Sequence, residues 1–326
     1  MVNQAVHVRG LEKSYGDVRA VGGIDLDVAE GEMFGFLGPN GAGKSTAIKI
    51  LCTITDATAG TAVVAGHDVR TERAEVRRNI GVVFQESTLD AYLTAEQNLR
   101  FHGELYGLPR RLLRERMDEV LELVGLTDRR HDPVLKFSGG MRRRLEIGRG
   151  LLHAPRVLFL DEPTIGLDPQ TRASIWEYIA LLRQRQDITI FVTTHYMDEA
   201  EHCDRIAIMN RGEIVVTDTP DALKSSVGAD RVRVRTEDDP AAIAVLRERF
   251  GLDAAIHDGM VTFAVADGAQ FVPRLFGELG IGIDTVTVTR PSLDDVFMAY
   301  TGRTMGDTEK GDGASALARM MMAGRR

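Results

Sequence analysis

From Val6 to about Lys224, short apolar runs alternate with stretches of helical spacing, the rhythm of an α/β domain. Apolar runs predict strands at 33–37, 80–84, 157–160, 188–193 and 206–209. Between them, Leu112, Leu113, Met117, Val120, Leu121 and Val124 recur at helical spacing and predict an amphipathic surface helix that Gly125 closes.

Past Pro220 the pattern changes. A strand at 231–235, a helix at 240–250, strands at 254–257 and 261–265, a helix at 270–279 and a strand at 285–289 follow in turn. Asp258-Gly259 is a hairpin signal between the middle strands, and the whole order is that of the ferredoxin-like motif. A last helix is expected at 293–300. The polar, Gly-rich text beyond Gly302 reads as a disordered tail, the Met320-Met321-Met322 run before two terminal arginines included. The expected domains are therefore 1–224, an α/β unit; 225–302, a small α+β unit; and 303–326, a tail.

The length of 326 residues suits one large domain plus a smaller one. With 44% hydrophobic and 27% charged residues, a wholly disordered or fibrous chain is excluded. A net charge of −8 opposes a protein that coats nucleic acid, which is not an expected partner. Cys52 and Cys203 stand far apart outside any CxxC pattern, so neither a disulfide framework nor a zinc site is signalled. No basic leader with an apolar stretch opens the chain, and no run approaches ~18 apolar residues; neither a secretion signal nor a membrane span is expected.

The chemistry begins at Gly38-Pro39-Asn40-Gly41-Ala42-Gly43-Lys44-Ser45, a P-loop pattern between a predicted strand and a helix. Its glycines let backbone amides approach phosphate, the helix N-terminus favours negative charge, Lys44 reaches the β/γ-phosphates and Ser45 ligates Mg²⁺. Thr46 joins this nucleotide-binding set. A Gly-rich turn with an exposed lysine is the plainer alternative, and the flanking elements disfavour it. The apolar strand ending in Asp161-Glu162 has the form of a Walker B motif. Uncompensated buried carboxylates cost several kcal/mol, so a metal and a water are the better explanation: Asp161 for Mg²⁺, Glu162 as general base.

These two motifs alone define only a P-loop nucleotidase. The sequence Phe137-Ser138-Gly139-Gly140-Met141, followed by the basic run Arg142-Arg143-Arg144, resembles the signature loop of ABC ATPases. A hydroxyl and two glycines at a helix start make a second anion site that a chain with one P-loop does not need for itself. The resemblance to ABC transporter ATP-binding proteins spans Val6 to about Lys224. Through 291–297 and Thr301-Gly302-Arg303 it extends to the daunorubicin/doxorubicin-resistance type of drug-export ATPase subunits. It departs from the family form at Met141, usually polar, and at Phe137, usually leucine.

The resemblance implies that Tyr15 stacks on adenine, that Gln85 touches Mg²⁺ and reports nucleotide state, that Gly166-Leu167-Asp168 is the D-loop, and that His195 contacts the γ-phosphate. It further implies a P-loop NTPase fold with a helical signature subdomain, ATP and Mg²⁺ as ligands, and a head-to-tail homodimer. A separately encoded transmembrane permease, with this chain at the cytoplasmic face of the membrane, completes the expectation. A soluble ABC switch in translation or DNA repair is the alternative, weakened by the single P-loop and the lack of sustained heptads. A regulatory module that binds ATP without turnover is disfavoured by Glu162 and His195.

Overall fold

The computed structural model describes residues 3–185, 188–257 and 259–302. The tail expected at 303–326 lies outside the described residues, as does Asp258 of the expected hairpin turn. The chain divides into two compact units, the first closing at Thr219 and the second opening at Pro220.

The first unit opens with β1 (Gln4–Tyr15), β2 (Val18–Ala29), β3 (Met33–Leu37), α1 (Lys44–Leu51), β4 (Ala59–Val64), β5 (His67–Asp68), α2 (Arg73–Asn79) and β6 (Ile80–Val83). A helical stretch follows: α3 (Ala95–Leu105), α4 (Arg110–Leu123) and α5 (Gly139–Leu151). It ends with β7 (Val157–Asp161), α6 (Pro169–Arg185), β8 (Thr189–Thr194), α7 (Met197–Ala200), β9 (Arg205–Asn210) and β10 (Glu213–Asp218).

These strands form two sheets. One is antiparallel with order β2-β1-β4-β5; the other runs β10-β9-β3-β8-β7-β6 and is parallel except for its β10 edge. Every residue of β3, β7 and β8 is buried, which is why these strands read as unbroken apolar runs: a parallel sheet is covered on both faces. Phe34, Phe36, Phe159 and Phe191, on its central strands, pack as an aromatic cluster with two edge-on and two tilted ring pairs. Register aligns Leu37 with Thr194 and Asp161 with Thr193, so β3, β7 and β8 deliver their C-terminal ends to one edge, where α/β sheets bind ligands.

The helices are placed by local chemistry. Thr94 and Gln97 form a capping box at the start of α3. Apolar Leu113, Met117, Val120 and Leu121 bury one face of α4, and Gly125, at φ 63°, ends that region. The close approach of α5 to β6 depends on Gly81: a Cβ there would stand 2.3 Å from the Gly150 carbonyl oxygen.

The second unit contains α8 (Pro220–Val227), β11 (Asp230–Thr236), α9 (Asp239–Phe250), β12 (Ala255–His257), β13 (Met260–Val265), α10 (Gly268–Glu278), β14 (Ile283–Thr289) and α11 (Leu293–Thr301). Its sheet is antiparallel with order β12-β13-β11-β14, the split βαβ arrangement. Val232, Val234, Leu246, Val261, Phe263 and Leu275 make its own core. The helix α8 packs on α11 within this unit.

Candidate nucleotide site

The loop between β3 and α1 is held by close backbone approaches. A Cβ on Gly38 would stand 2.2 Å from the Met209 carbonyl oxygen, and one on Gly43, which lies at φ 105°, 2.3 Å from that of Ala20. Only glycine fits such positions. The Lys44 side chain is 4% exposed and donates to the carbonyls of Gly38 at 2.6 Å and Pro39 at 3.0 Å. A buried ammonium needs such compensation, and a further counter-charge stands at 3.6 Å in Glu162 Oε1.

Ser45, one residue into α1, donates its hydroxyl to Asp161 Oδ1 at 3.1 Å, and the Thr193 hydroxyl donates to the same oxygen. Hard oxygen donors, one hydroxyl and one carboxylate, suit Mg²⁺, which keeps several waters and takes the rest of its shell from phosphate. Among the described residues no three His, Cys, Asp or Glu side chains gather into a metal cage.

Glu162 follows β7 at φ 48°, a left-handed conformation that costs a non-glycine residue about 1–3 kcal/mol. Its amide donates to the backbone oxygen and the hydroxyl of Thr193, both at 3.1 Å. Burial pushes the carboxyl pKa up, but His195 and Lys44 outweigh it and the group lies below its ordinary value. His195 Nδ1 is 3.3 Å from Glu162 Oε1 without an aligned hydrogen bond, and Glu162 Oε2 is buried with no partner among the described residues. An ionised carboxylate with one free acceptor oxygen can orient and deprotonate a water.

The structure thus brings Lys44, Ser45, Asp161, Glu162 and His195 together at the sheet edge. Gln85 is exposed just past β6. Tyr15 is 51% exposed at the end of β1, with Lys13 Nζ 4.8 Å from its ring centre. Ser138 and Asp168 serve their own helices. The Ser138 hydroxyl accepts from Met141 N at 3.2 Å, and the Asp168 carboxylate accepts from Thr171 N and its hydroxyl at 3.0 and 2.6 Å. These Thr171 bonds hold the Asp168 pKa below its ordinary value. Gly140 lies so close to α6 that a Cβ would meet Thr171 Cγ2 at 2.5 Å.

Two residues near the site were not singled out from sequence. Arg143 is 6% exposed and bonds to backbone on both sides of Glu162. Glu199, 2% exposed, accepts from the Thr194 hydroxyl at 2.7 Å, from the Thr164 hydroxyl and from Arg172 at 3.3 Å, joining the loops after β7 and β8. The signal for Arg143 was present: Glu146 lies three residues on, opposite in charge and on the same helical face.

Comparison with known proteins gives two family matches. Residues 21–165 match the ABC transporter family, and residues 219–301 match the ATP-binding protein DrrA1-3-like, C-terminal domain. The chain is 41% identical to the daunorubicin resistance ATP-binding protein DrrA2 of Streptomyces coeruleorubidus, over 96% of this chain and all of that one. It is 36% identical to the linearmycin resistance ATP-binding protein LnrL of Bacillus subtilis, over 93% of this chain and all of that one. Among solved structures, CbiO1 of Clostridium perfringens, part of the ABC transporter complex CbiONQ, superposes with a TM-score of 0.64 at 26% identity, covering 76% of this chain and 96% of that one. The ATP-binding cassette MJ0796, in a dimeric post-hydrolysis state bound to ADP and Pi, gives 0.60 at 27% identity, covering 66% and 98%.

Proposed function

Because this chain belongs to the ATP-binding subunits of ABC transporters, a family of ATPases, we propose that it binds ATP·Mg²⁺ at the Lys44 loop and hydrolyses it as a head-to-tail homodimer. That work drives a separately encoded permease from the cytoplasmic face of the membrane. No helix among the described residues is long and apolar enough to cross a membrane, and the permease supplies the permeation path. Relatives named for daunorubicin and linearmycin resistance support an exporter of drugs or other small hydrophobic compounds.

The observation that carries the reading is the convergence of Lys44, Ser45, Asp161, Glu162 and His195 at the C-terminal edge of one parallel sheet. The loop amides and Lys44 would hold the phosphates. Ser45 and Asp161 would hold Mg²⁺, with Gln85 as a further ligand, and the ion when bound neutralises charge on the phosphate oxygens. Glu162 takes a proton from the attacking water, and His195 faces the γ-phosphate. Tyr15 stacks on adenine, while Ser138, Gly139 and Gly140 of the second copy close the site beside Asp168. The second unit, with no proposed nucleotide contact, acts in assembly or regulation.

Glu162→Gln tests this reading. Turnover should fall by about 10²-fold, the usual size of a lost general base, while ATP binding persists and a dimer accumulates. Light scattering after gel filtration in ATP·Mg²⁺ detects that dimer. A variant that stays monomeric and turns over at the wild-type rate refutes the assignment.

A further inference from the structure

Arginine carries five N–H donors in a rigid fork, and all five of Arg143 are engaged in this structure. Nε donates to Pro163 O at 2.6 Å. Nη1 donates to Phe84 O at 2.7 Å and to Glu146 Oε2 at 3.1 Å, and Nη2 donates to Asp161 O and Glu162 O, both at 3.2 Å. Three of the acceptors are consecutive carbonyls spanning the left-handed Glu162. A fourth belongs to the residue before Gln85.

Glu146 extends the arrangement. While Oε2 receives Arg143, Oε1 accepts from Thr88 N at 2.9 Å, and Arg149, one turn further along α5, donates to Thr88 O at 2.9 Å. Helix α5 therefore grips the Gln85 segment at Phe84 and at Thr88. The same helix is capped by Ser138, so one rigid element joins three parts of the site. A buried charge is a poor choice if packing were the only need, since apolar residues of similar volume often stabilise as well or better.

We propose that Arg143 is a positioning residue for hydrolysis: its saturated guanidinium fork fixes the Glu162 peptide in register with the Gln85 segment and with α5. Displacement of the Gln85 segment then alters the aim of the Glu162 carboxylate. The inference rests on Glu162 as the base.

A double-mutant cycle on the full chain tests it, using single-turnover hydrolysis of labelled ATP with Mg²⁺. Lysine keeps the charge at position 143 but offers only three donors. In the wild-type background Arg143→Lys should lower the saturating rate by about 10-fold or more, with half-saturating ATP changed by less than about 3-fold. In the Glu162→Gln background the same substitution should cost less than about 2-fold, because the group it aims is already gone. Equal losses in both backgrounds, or a loss confined to ATP affinity, overturn the proposal while leaving the site reading intact. Glu162→Gln turning over at the wild-type rate overturns both. If Arg143→Lys does not fold, Glu146→Gln replaces it in the same cycle, with an expected loss of about 3-fold or more in the wild-type background alone.

Discussion

Lys44 and Glu162 face each other 3.6 Å apart, each almost fully buried, so the proposed phosphate-binding cation and the proposed base share one electrostatic site. The carboxylate is held ionised by His195 and, after it, by the ammonium proposed to engage the phosphates. Removing either partner leaves a buried charge short of compensation.

Lys44→Ala should therefore weaken ATP binding or turnover by about 10²-fold or more, since it deletes the charge proposed to face the phosphates and also disturbs Glu162. Equilibrium binding of a fluorescent ATP analogue, alongside turnover, reads the loss. Hydrolysis near the wild-type rate would contradict the assignment of this loop.

The depressed pKa of Glu162 fixes the sign of its pH response. It stays ionised until the pH falls below the ordinary carboxylate range, near 4.5, so its contribution to stability, and its proposed part in catalysis, is complete above that value and lost as the pH falls further. Single-turnover hydrolysis should show no Glu162-dependent acid limb between pH 8 and about pH 5. A limb in that window that vanishes in Glu162→Gln would disprove this.

A second titration lies away from the site. His102, Tyr106 and His153 cluster at the C-terminal end of α3, with the rings of Tyr106 and His153 stacked at 3.9 Å. Burial, then Arg149 and His153, lower the His102 pKa from 6.5 to about 3, and its Nε2 has no hydrogen-bond partner among the described residues. The folded state thus binds fewer protons than the unfolded one between these values, and stability must fall as pH drops from 6.5 toward 3. Calorimetry at pH 7.5 and 5.5 should show a smaller fall in Tm for His102→Phe than for wild type. An equal fall would place the acid sensitivity elsewhere.

The parts legible in the sequence are those whose environment is uniform. β3, β7 and β8 are buried on both faces and needed only an apolar run. The P-loop and Asp161-Glu162 were legible because chemistry fixes both residue type and spacing. β1 and β2 escaped notice: their pairing shifts register four times, and Gly10, Gly22 and Gly23 interrupt the alternation that marks a half-buried strand. Arg143 was hidden between two other arginines, since a basic run after a helix start does not by itself say which member points inward. Pairing with Glu146 three positions on separates it from Arg142 and Arg144, and that takes helix phase as well as composition.

The proposed head-to-tail assembly has the sharpest consequence, because it is where the ABC reading goes beyond the P-loop. Within one chain Ser138 caps α5, and nothing in that bond engages the chain's own Lys44 loop. Take Lys44→Ala in one copy and Ser138→Arg in another. Either homodimer then carries one defect in each of its two composite sites. In a mixed dimer both defects fall in the same site, and the other keeps wild-type Lys44 and wild-type Ser138. Random pairing makes about half of all dimers mixed. If one intact site suffices to trap ATP, mixing two inactive variants should restore nucleotide occlusion, even where full turnover needs both sites. If Ser138 served the nucleotide of its own chain, every dimer in the mixture would remain defective at both sites. Occlusion measured on mixtures that cross-linking shows to contain heterodimers decides between these geometries, and its absence there would count directly against the head-to-tail dimer.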